Sequence, residues 1–307
     1  MRFWRALFLL AALVSAPALA DPALWVVKSP TAAVYLFGTI HVLPEGTSWH
    51  YPLLDAALEA SGELYVEEND DSSATMRNLV QQFGLGDAPD ATSDDMSTCV
   101  CQDYLDPAYA LSSKLGPRDR ARLEAAADAT GVSDGFEALE HMRPWLAAVA
   151  LTMVPIEKAG YEPGSGADVQ LKHEFQATGR RVGALETARD QIRFLATLPA
   201  TLQLDLLHNT LDDYAKGPDQ IHNLVSEWQA GDVEAISKNV NADMQTHYPQ
   251  LYTVLLVKRN RNFAHRIAAL LKGQRTVFVA IGAGHLAGPD SVQAQLAKLG
   301  FRTERVH

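Results

Sequence analysis

Ala33-Val34-Tyr35-Leu36-Phe37-Gly38-Thr39-Ile40-His41 and, near the other end of the chain, Thr276-Val277-Phe278-Val279-Ala280-Ile281-Gly282-Ala283-Gly284-His285 are built alike: an apolar run, then Gly-x-x-His. A short continuous apolar run rich in β-branched and aromatic residues suits a strand covered on both faces. Glycine at its end lets the chain turn sharply and leaves room beside the histidine. Working outward, Glu63-Leu64-Tyr65-Val66 runs into Glu67-Glu68, and Arg181-Val182-Gly183-Ala184-Leu185 runs into Glu186-Thr187. Residues 301–306 read as a strand that closes the sheet. Between these segments apolar residues recur at three- and four-residue spacing over 52–60, 74–83, 118–129, 144–158, 167–177, 200–214, 220–229 and 251–271, the period of a helix with one buried face. Gly116-Pro117, 160–166 and Gly217-Pro218 punctuate them. The pattern predicts an α/β fold, with α+β as the alternative: a mixed central sheet from the N- and C-terminal strands, with a large helical insertion.

The 307 residues are 47% hydrophobic and 21% charged, enough apolar material for a full core. A net charge of −11 argues against a nucleic-acid binder, whose footprint is a basic patch or stripe. Arg2 and Arg5, the apolar stretch Leu7 to Val14, and Ala18-Leu19-Ala20 have the layout of a secretory signal peptide over residues 1–20. The apolar stretch is shorter than the ~20 residues a membrane span needs, and no later run is long enough. The expectation is therefore a single domain over 21–307, soluble in the periplasm or secreted. Two cysteines make neither a disulfide scaffold nor a four-thiolate zinc site. Cys99 and Cys101 follow an acidic, Ser/Asp/Ala-rich loop at 86–97. A local disulfide there closes a tight, strained ring; a redox or soft-metal site is the alternative.

Each of the first four strands ends in a residue able to do chemistry: His41, Glu67 or Glu68, Glu186, and His285. In α/β sheets ligands bind beyond the carboxyl ends of the strands. Two neutral imidazoles with a carboxylate suit a divalent first-row cation (Mn, Co or Zn) with positions left open for water and substrate. A second carboxylate would carry protons, and a nearby cation would stabilise a developing oxyanion. The bland alternative is that Glu67 and Glu186 only favour the N-termini of the helices that follow. Strand alternation puts Glu67 and Glu68 on opposite faces, which leaves either as the ligand. Asp168 reads as a first-turn helix acid or as a partner behind a ligand histidine. Arg259, with Lys258, Arg261 and Arg266, reads as a solvated basic face or as a cation over the site. Arg143 reads as a salt-bridge residue or a substrate contact. The remaining histidines lack a partner at ligand spacing, and Tyr35 and Tyr65 pack in the sheet.

The segment Phe37 to Pro44 resembles the opening motif of the TraB/GumN family, which is related to the Tiki metalloproteases. Further marks follow in order: a strand ending at Glu67, Arg143-Pro144-Trp145, Gly166-Ala167-Asp168, Gly183 to Thr187 with Gln191, Arg259-Asn260, and Gly282 to Gly288. The resemblance runs from Leu24 to Val306. It implies a metal-dependent peptidase, with His41, Glu67 and His285 as ligands, Glu186 as ligand or base, and Arg259 as a cation over the site. The wider superfamily is similar to erythromycin esterases and to a haem-binding lipoprotein group, so fold and reaction are separate inferences. The expected activity is hydrolysis of a peptide or small-molecule substrate by metal-activated water. The alternative is a non-catalytic periplasmic protein that binds haem, a small molecule, or serves a polysaccharide pathway.

Overall fold

The computed structural model describes residues 21–69, 73–84, 110–130, 135–158, 160–161, 164–217 and 219–307, without the side chains of 73–77, 81, 130, 153–155 and 157–158. The leader at 1–20, the acidic loop at 86–97 and the pair Cys99 and Cys101 lie outside these residues. The strands are β1 (Leu24–Lys28), β2 (Ala33–Thr39), β3 (Glu63–Val66), β4 (Arg181–Ala184), β5 (Thr276–Gly282) and β6 (Thr303–Arg305). They form one mixed sheet in the order β4-β3-β5-β2-β1-β6. The first four in that order run parallel, and β1 and β6 each pair antiparallel along the other edge. Helices occupy most of the stretch between β3 and β5. This is the expected α/β architecture, with one strand more than the sequence pattern suggested: β1, Leu24-Trp25-Val26-Val27-Lys28.

Alternation explains why the central strands read as unbroken apolar runs. Phe37, Leu64, Phe278 and Ala280 point to one face of the sheet, while Val34, Leu36, Val277, Val279 and Ile281 point to the other, and all are buried. Helix Pro52–Ala60 covers the first face with Leu54, Ala57 and Leu58, at the one-turn spacing of a helix stripe. Ala167–Ala177 adds Leu171 and Phe175, and Asp219–Gln229 adds Val225 and Trp228. The second face is covered by Phe263, Ala264 and Ile267 of helix Arg259–Leu270 and by Val292 and Leu296 of Val292–Lys298. Each fully buried Leu or Phe contributes about 1.5–3 kcal/mol relative to exposure, so both faces fix strand register. A separate helical layer, Pro117–Thr130, Gly135–Glu140, Pro144–Lys158 and Ala200–Lys216, packs around Leu123, Leu139, Leu151, Leu207 and Leu211. Among the described residues no helix is long and apolar enough to cross a membrane.

Parallel pairing sends the carboxyl ends of β2, β5, β3 and β4 to one edge. Thr39 pairs with Gly282, and Val66 pairs with both Ala280 and Ala184, so the ends are nearly level. Beyond the regular strands the Leu185 amide donates to the Val66 carbonyl and the Glu186 amide to the Glu67 carbonyl, both at 2.8 Å. That extension of the ladder sets Glu186 beside Glu67.

Candidate functional site

The first Gly-x-x-His turn is strapped down from outside. Ser165 Oγ accepts from the Leu43 amide at 3.0 Å and donates to its carbonyl at 2.7 Å, and the Ala167 amide donates to the Ile40 carbonyl at 3.0 Å. Gly166 lies so close that a Cβ there would meet the His41 carbonyl oxygen at 2.3 Å; glycine is required by that approach. Trp228 Nε1 donates to the Gly38 carbonyl at 2.6 Å from the opposite side. His41 itself stays 67% exposed, with Nδ1 3.0 Å from Asp168 Oδ2. Asp168 sits in the first turn of helix Ala167–Ala177, so it is a helix-start acid and a histidine partner at once.

The second turn is held from inside. Asn241 donates to the carbonyls of Gly284 and Ala287 at 3.0 and 3.2 Å. His285 is 8% exposed and packs edge-on against Phe263. Its Nδ1 is 2.5 Å from Asn260 Oδ1, and Asn260 in turn donates to the Asp290 carbonyl at 2.8 Å. An amide oxygen only accepts, so Nδ1 of His285 carries the proton and Nε2 presents its lone pair.

Between the two turns lies Glu67. Its Oε1 accepts from the Gly282 amide at 2.6 Å and is 3.6 Å from His285 Nε2. A Cβ built on Gly282 would stand 3.1 Å from Glu67 Oε1, 3.6 Å from the His285 ring and 4.0 Å from His41 Nε2. The absence of a side chain at 282 is thus what lets the three groups face one another. The guanidinium of Arg259 lodges among them. It donates to Glu67 Oε2 at 2.7 Å and closely to Glu186 Oε1, with Nη1 3.3 Å from His285 Nε2. Gln191 donates to Glu186 at 2.8 Å. Arg259 follows π-helical turns over Thr253–Lys258, an irregularity frequent at functional sites. Its neighbours Lys258, Arg261 and Arg266 are exposed and form the solvated face.

Electrostatics differ sharply across this small space. Burial pushes His285 down to about 4, with the Arg259 and His41 charges acting the same way. Burial opposes ionisation of Glu67, yet it is held down to about 2 by the facing His285, Arg259 and His41 side chains and the Gly282 amide. His285 is neutral near pH 7, so Arg259 and His41 are the cations that matter there. His41 is raised to about 9, first by its hydrogen bond to Asp168 and then by the charges of Asp168 and Glu67.

The sequence-predicted set is therefore brought to one edge: His41, Glu67, Glu186, Arg259 and His285. Glu68 instead lines a neighbouring cavity. Glu67 follows Tyr65, which packs on the same side as helix Arg259–Leu270, and this alternation separates it from Glu68. Two imidazoles anchored through Nδ1, together with a carboxylate, fit a divalent cation in kind. As they stand, no three His, Cys, Asp or Glu side chains among the described residues are close enough to hold one, Arg259 being seated between the carboxylates. Asn260, Asn241 and Gln191 carry supporting roles that the sequence reading had not given them. For Asn260 the available signal was its place directly after Arg259.

The relatives found are named as metalloproteases, three of them over most of this chain. Metalloprotease TIKI1 of Danio rerio is 25% identical across 92% of this chain and 62% of its own length. Metalloprotease TIKI2 of Xenopus tropicalis is 24% identical across 92% and 59%, and the TIKI homolog of Nematostella vectensis 24% across 92% and 66%. The chain thus spans about three fifths of the length of the first two. No solved structure matches it. The TraB/PrgY/gumN family model matches residues 23–305, from just ahead of β1 to the last residue of β6, and the chain belongs to that family.

Proposed function

We propose that this protein is an exported, metal-dependent hydrolase acting on an amide or ester bond, first of all a peptide bond. The observation that carries the reading is the meeting at Gly282 of two imidazoles, each anchored through Nδ1, with a carboxylate between them. The metalloprotease names of the relatives support the same reaction class. His41, Glu67 and His285 would hold the cation: Mn²⁺, Co²⁺ or Zn²⁺. When bound, such an ion supplies Lewis acidity and brings the pKa of its water towards neutrality.

The chain's own residues supply the rest. Asp168 and Asn260 fix both ring orientations, so that each imidazole turns Nε2 to the site; His41, protonated near pH 7 as the side chains stand, would release its Nε2 proton when the cation binds. Glu186 takes a proton from the attacking water and delivers it to the leaving amine or alkoxide as the bond to the acyl carbon breaks. Arg259 is the counter-charge to Glu67 and Glu186 as the side chains stand, and is positioned to stabilise negative charge on the carbonyl oxygen.

The test is elemental analysis of the purified protein, then a peptide-library cleavage screen with and without Mn²⁺. His41→Ala and His285→Ala should lose bound metal while keeping the far-ultraviolet circular dichroism of the parent. Unchanged metal content in both variants overturns the ligand assignment. A metal-loaded protein that cleaves nothing overturns hydrolysis and leaves a ligand-binding protein. Glu186→Gln should keep its metal and lose about 100-fold or more in turnover; full turnover removes Glu186 from the proton-carrying role.

A further inference from the structure

The sheet has two outer edges, and they are finished differently. β6 is blunted by charge: Glu304 and Arg305 are exposed, and Arg305 Nη2 donates to the Gly231 carbonyl at 2.7 Å. Charged side chains, prolines and bulges are the usual guards against an added strand. β4, at the other edge, pairs with β3 in unbroken register and carries none of them beyond Arg181. Its remaining residues, Val182, Gly183 and Ala184, are small or aliphatic and half-buried.

The ladder shows which backbone groups this edge offers. The Leu185 amide donates to the Val66 carbonyl, and Val66 pairs with Ala184. In a parallel ladder alternate residues of a strand bond to the same side, so Gly183 and Leu185 face β3 while Val182 and Ala184 turn outward. The Val182 carbonyl accordingly accepts from the side chain of Asn69, at 3.2 Å. Among the described residues nothing else bonds to this edge: the Val182 amide and both backbone groups of Ala184 are unpaired. Such groups are a template for an extended chain, whose main-chain bonds give affinity whatever its sequence.

The edge leads to the cluster. Ala184, Glu186, Leu79 and Ala188 line one cavity of about 480 Å³, and the Glu186 carboxylate also meets Arg259. Two residues of extended chain, about 7 Å, separate Ala184 from Glu186. A peptide laid along Ala184 and continued towards Glu186 therefore brings a bond about two residues further on to the cluster. Leu79 and Ala188 give its side chains an apolar wall. A small ester would use none of these backbone groups.

We infer that the outer edge of β4 binds the extended backbone of a peptide substrate as an added strand, held at Ala184 and fed from there to the cluster. The inference rests on the hydrolase reading above, and the experiment separates the two. The probe is the neutral heptapeptide acetyl-Ser-Val-Ser-Leu-Ser-Val-Ser amide, whose alternation suits one apolar wall. It is titrated into His285→Ala, which lacks a complete ligand set but keeps β4, and is followed by amide NMR and hydrogen exchange. The Val182 and Ala184 amides should exchange freely without peptide, then shift and exchange more slowly with it. A scan of singly N-methylated peptides should show a period of two. Binding weakens about ten-fold where an N–H facing β4 is lost, and changes little at the positions between. Ala184→Pro, tolerable because the lost N–H faces outward, should weaken binding by a similar factor. No response of these two amides at millimolar peptide, or an N-methyl scan without the period, overturns the edge assignment. So do amides already protected in the free chain, and protection that grows with protein concentration, which names a second copy as the occupant. Cleavage by the wild-type protein that ignores both the scan and Ala184→Pro overturns the edge and leaves hydrolysis standing. Periodic binding to a protein that cuts nothing in the peptide library overturns hydrolysis and leaves the edge.

Discussion

The two Gly-x-x-His turns share one motif and one sheet edge, yet they hold their histidines in opposite states. His41 is open to solvent, backed by the Asp168 carboxylate, and raised to about 9. His285 is enclosed, backed by the neutral Asn260 amide, and pushed down to about 4. Burial disfavours the charged imidazole and a carboxylate partner favours it, so the motif alone fixes where the rings point and the second partner fixes their charge. The difference makes one imidazole a neutral, preoriented donor and leaves the other exchangeable at the solvent side.

Arg259 joins the second turn to Glu67 and Glu186 and acts on His41 through its charge, and removing it is the severest test of the contrast. Arg259→Met leaves the Glu67 carboxylate enclosed with the guanidinium gone. Breaking one half of such a pair costs about 3–5 kcal/mol, read as a loss in chemical denaturation. The double variant Arg259→Met/Glu67→Gln should recover most of it, because no uncompensated charge then remains. Removal also clears the space among Glu67, Glu186 and His285, so affinity for added Zn²⁺ should rise. A fall in affinity would instead show that the guanidinium keeps the donors in register.

Next in size come the two supporting residues. Asn260→Ala should weaken cation affinity about 10–100-fold, the usual effect of losing the group behind a ligand histidine, because the enclosed Nδ1–H of His285 has no water to turn to. Asp168→Ala should cost less than Asn260→Ala in the same titration, since water can reach Nδ1 of the exposed His41. Equal losses would mean that exposure does not distinguish the two turns.

Much of this edge was legible in the residues themselves. The runs 33–37 and 276–281 announce strands buried on both faces, and the paired Gly-x-x-His marks their ends; both follow from local pattern. Local pattern also exposes the helix of residues 52–60 through Pro52 and its apolar stripe. What it conceals is pairing. Leu24 to Lys28 is a run of only four apolar residues ended by a lysine, and becomes a strand because β2 and β6 flank it. Helix Ala188–Ala196 is announced by the capping box of Thr187 and Asp190, a signal easily lost when Glu186-Thr187 is read for chemistry. The choice between Glu67 and Glu68 depends on which sheet face carries helix Arg259–Leu270, a fact of topology that no spacing within 63–68 encodes. The partnership of Asp168 with His41 crosses 127 residues of chain, and nothing local to either predicts it.

A third imidazole calibrates the comparison, because it has two carboxylate partners but stands outside the Gly-x-x-His turns. His50 Nδ1 lies 2.7 Å from Asp55 and Nε2 3.2 Å from Glu174, tying helix Pro52–Ala60 to Ala167–Ala177. Its hydrogen bond to Glu174 leads the causes that raise it to about 9, against partial burial. A folded-state value above the unfolded one means that protonation favours the native state. The contribution is complete below about 6.5 and disappears as pH rises through about 9. The partners are all partly exposed, so solvent and salt screen the effect. The thermal midpoint of the wild-type protein should therefore exceed that of His50→Gln by a small margin at pH 6, and the two should converge by about pH 10. A margin that persists unchanged at pH 10 would assign the role of His50 to its tilted ring contact with Trp49, and would show that a histidine between two carboxylates need not act through its charge.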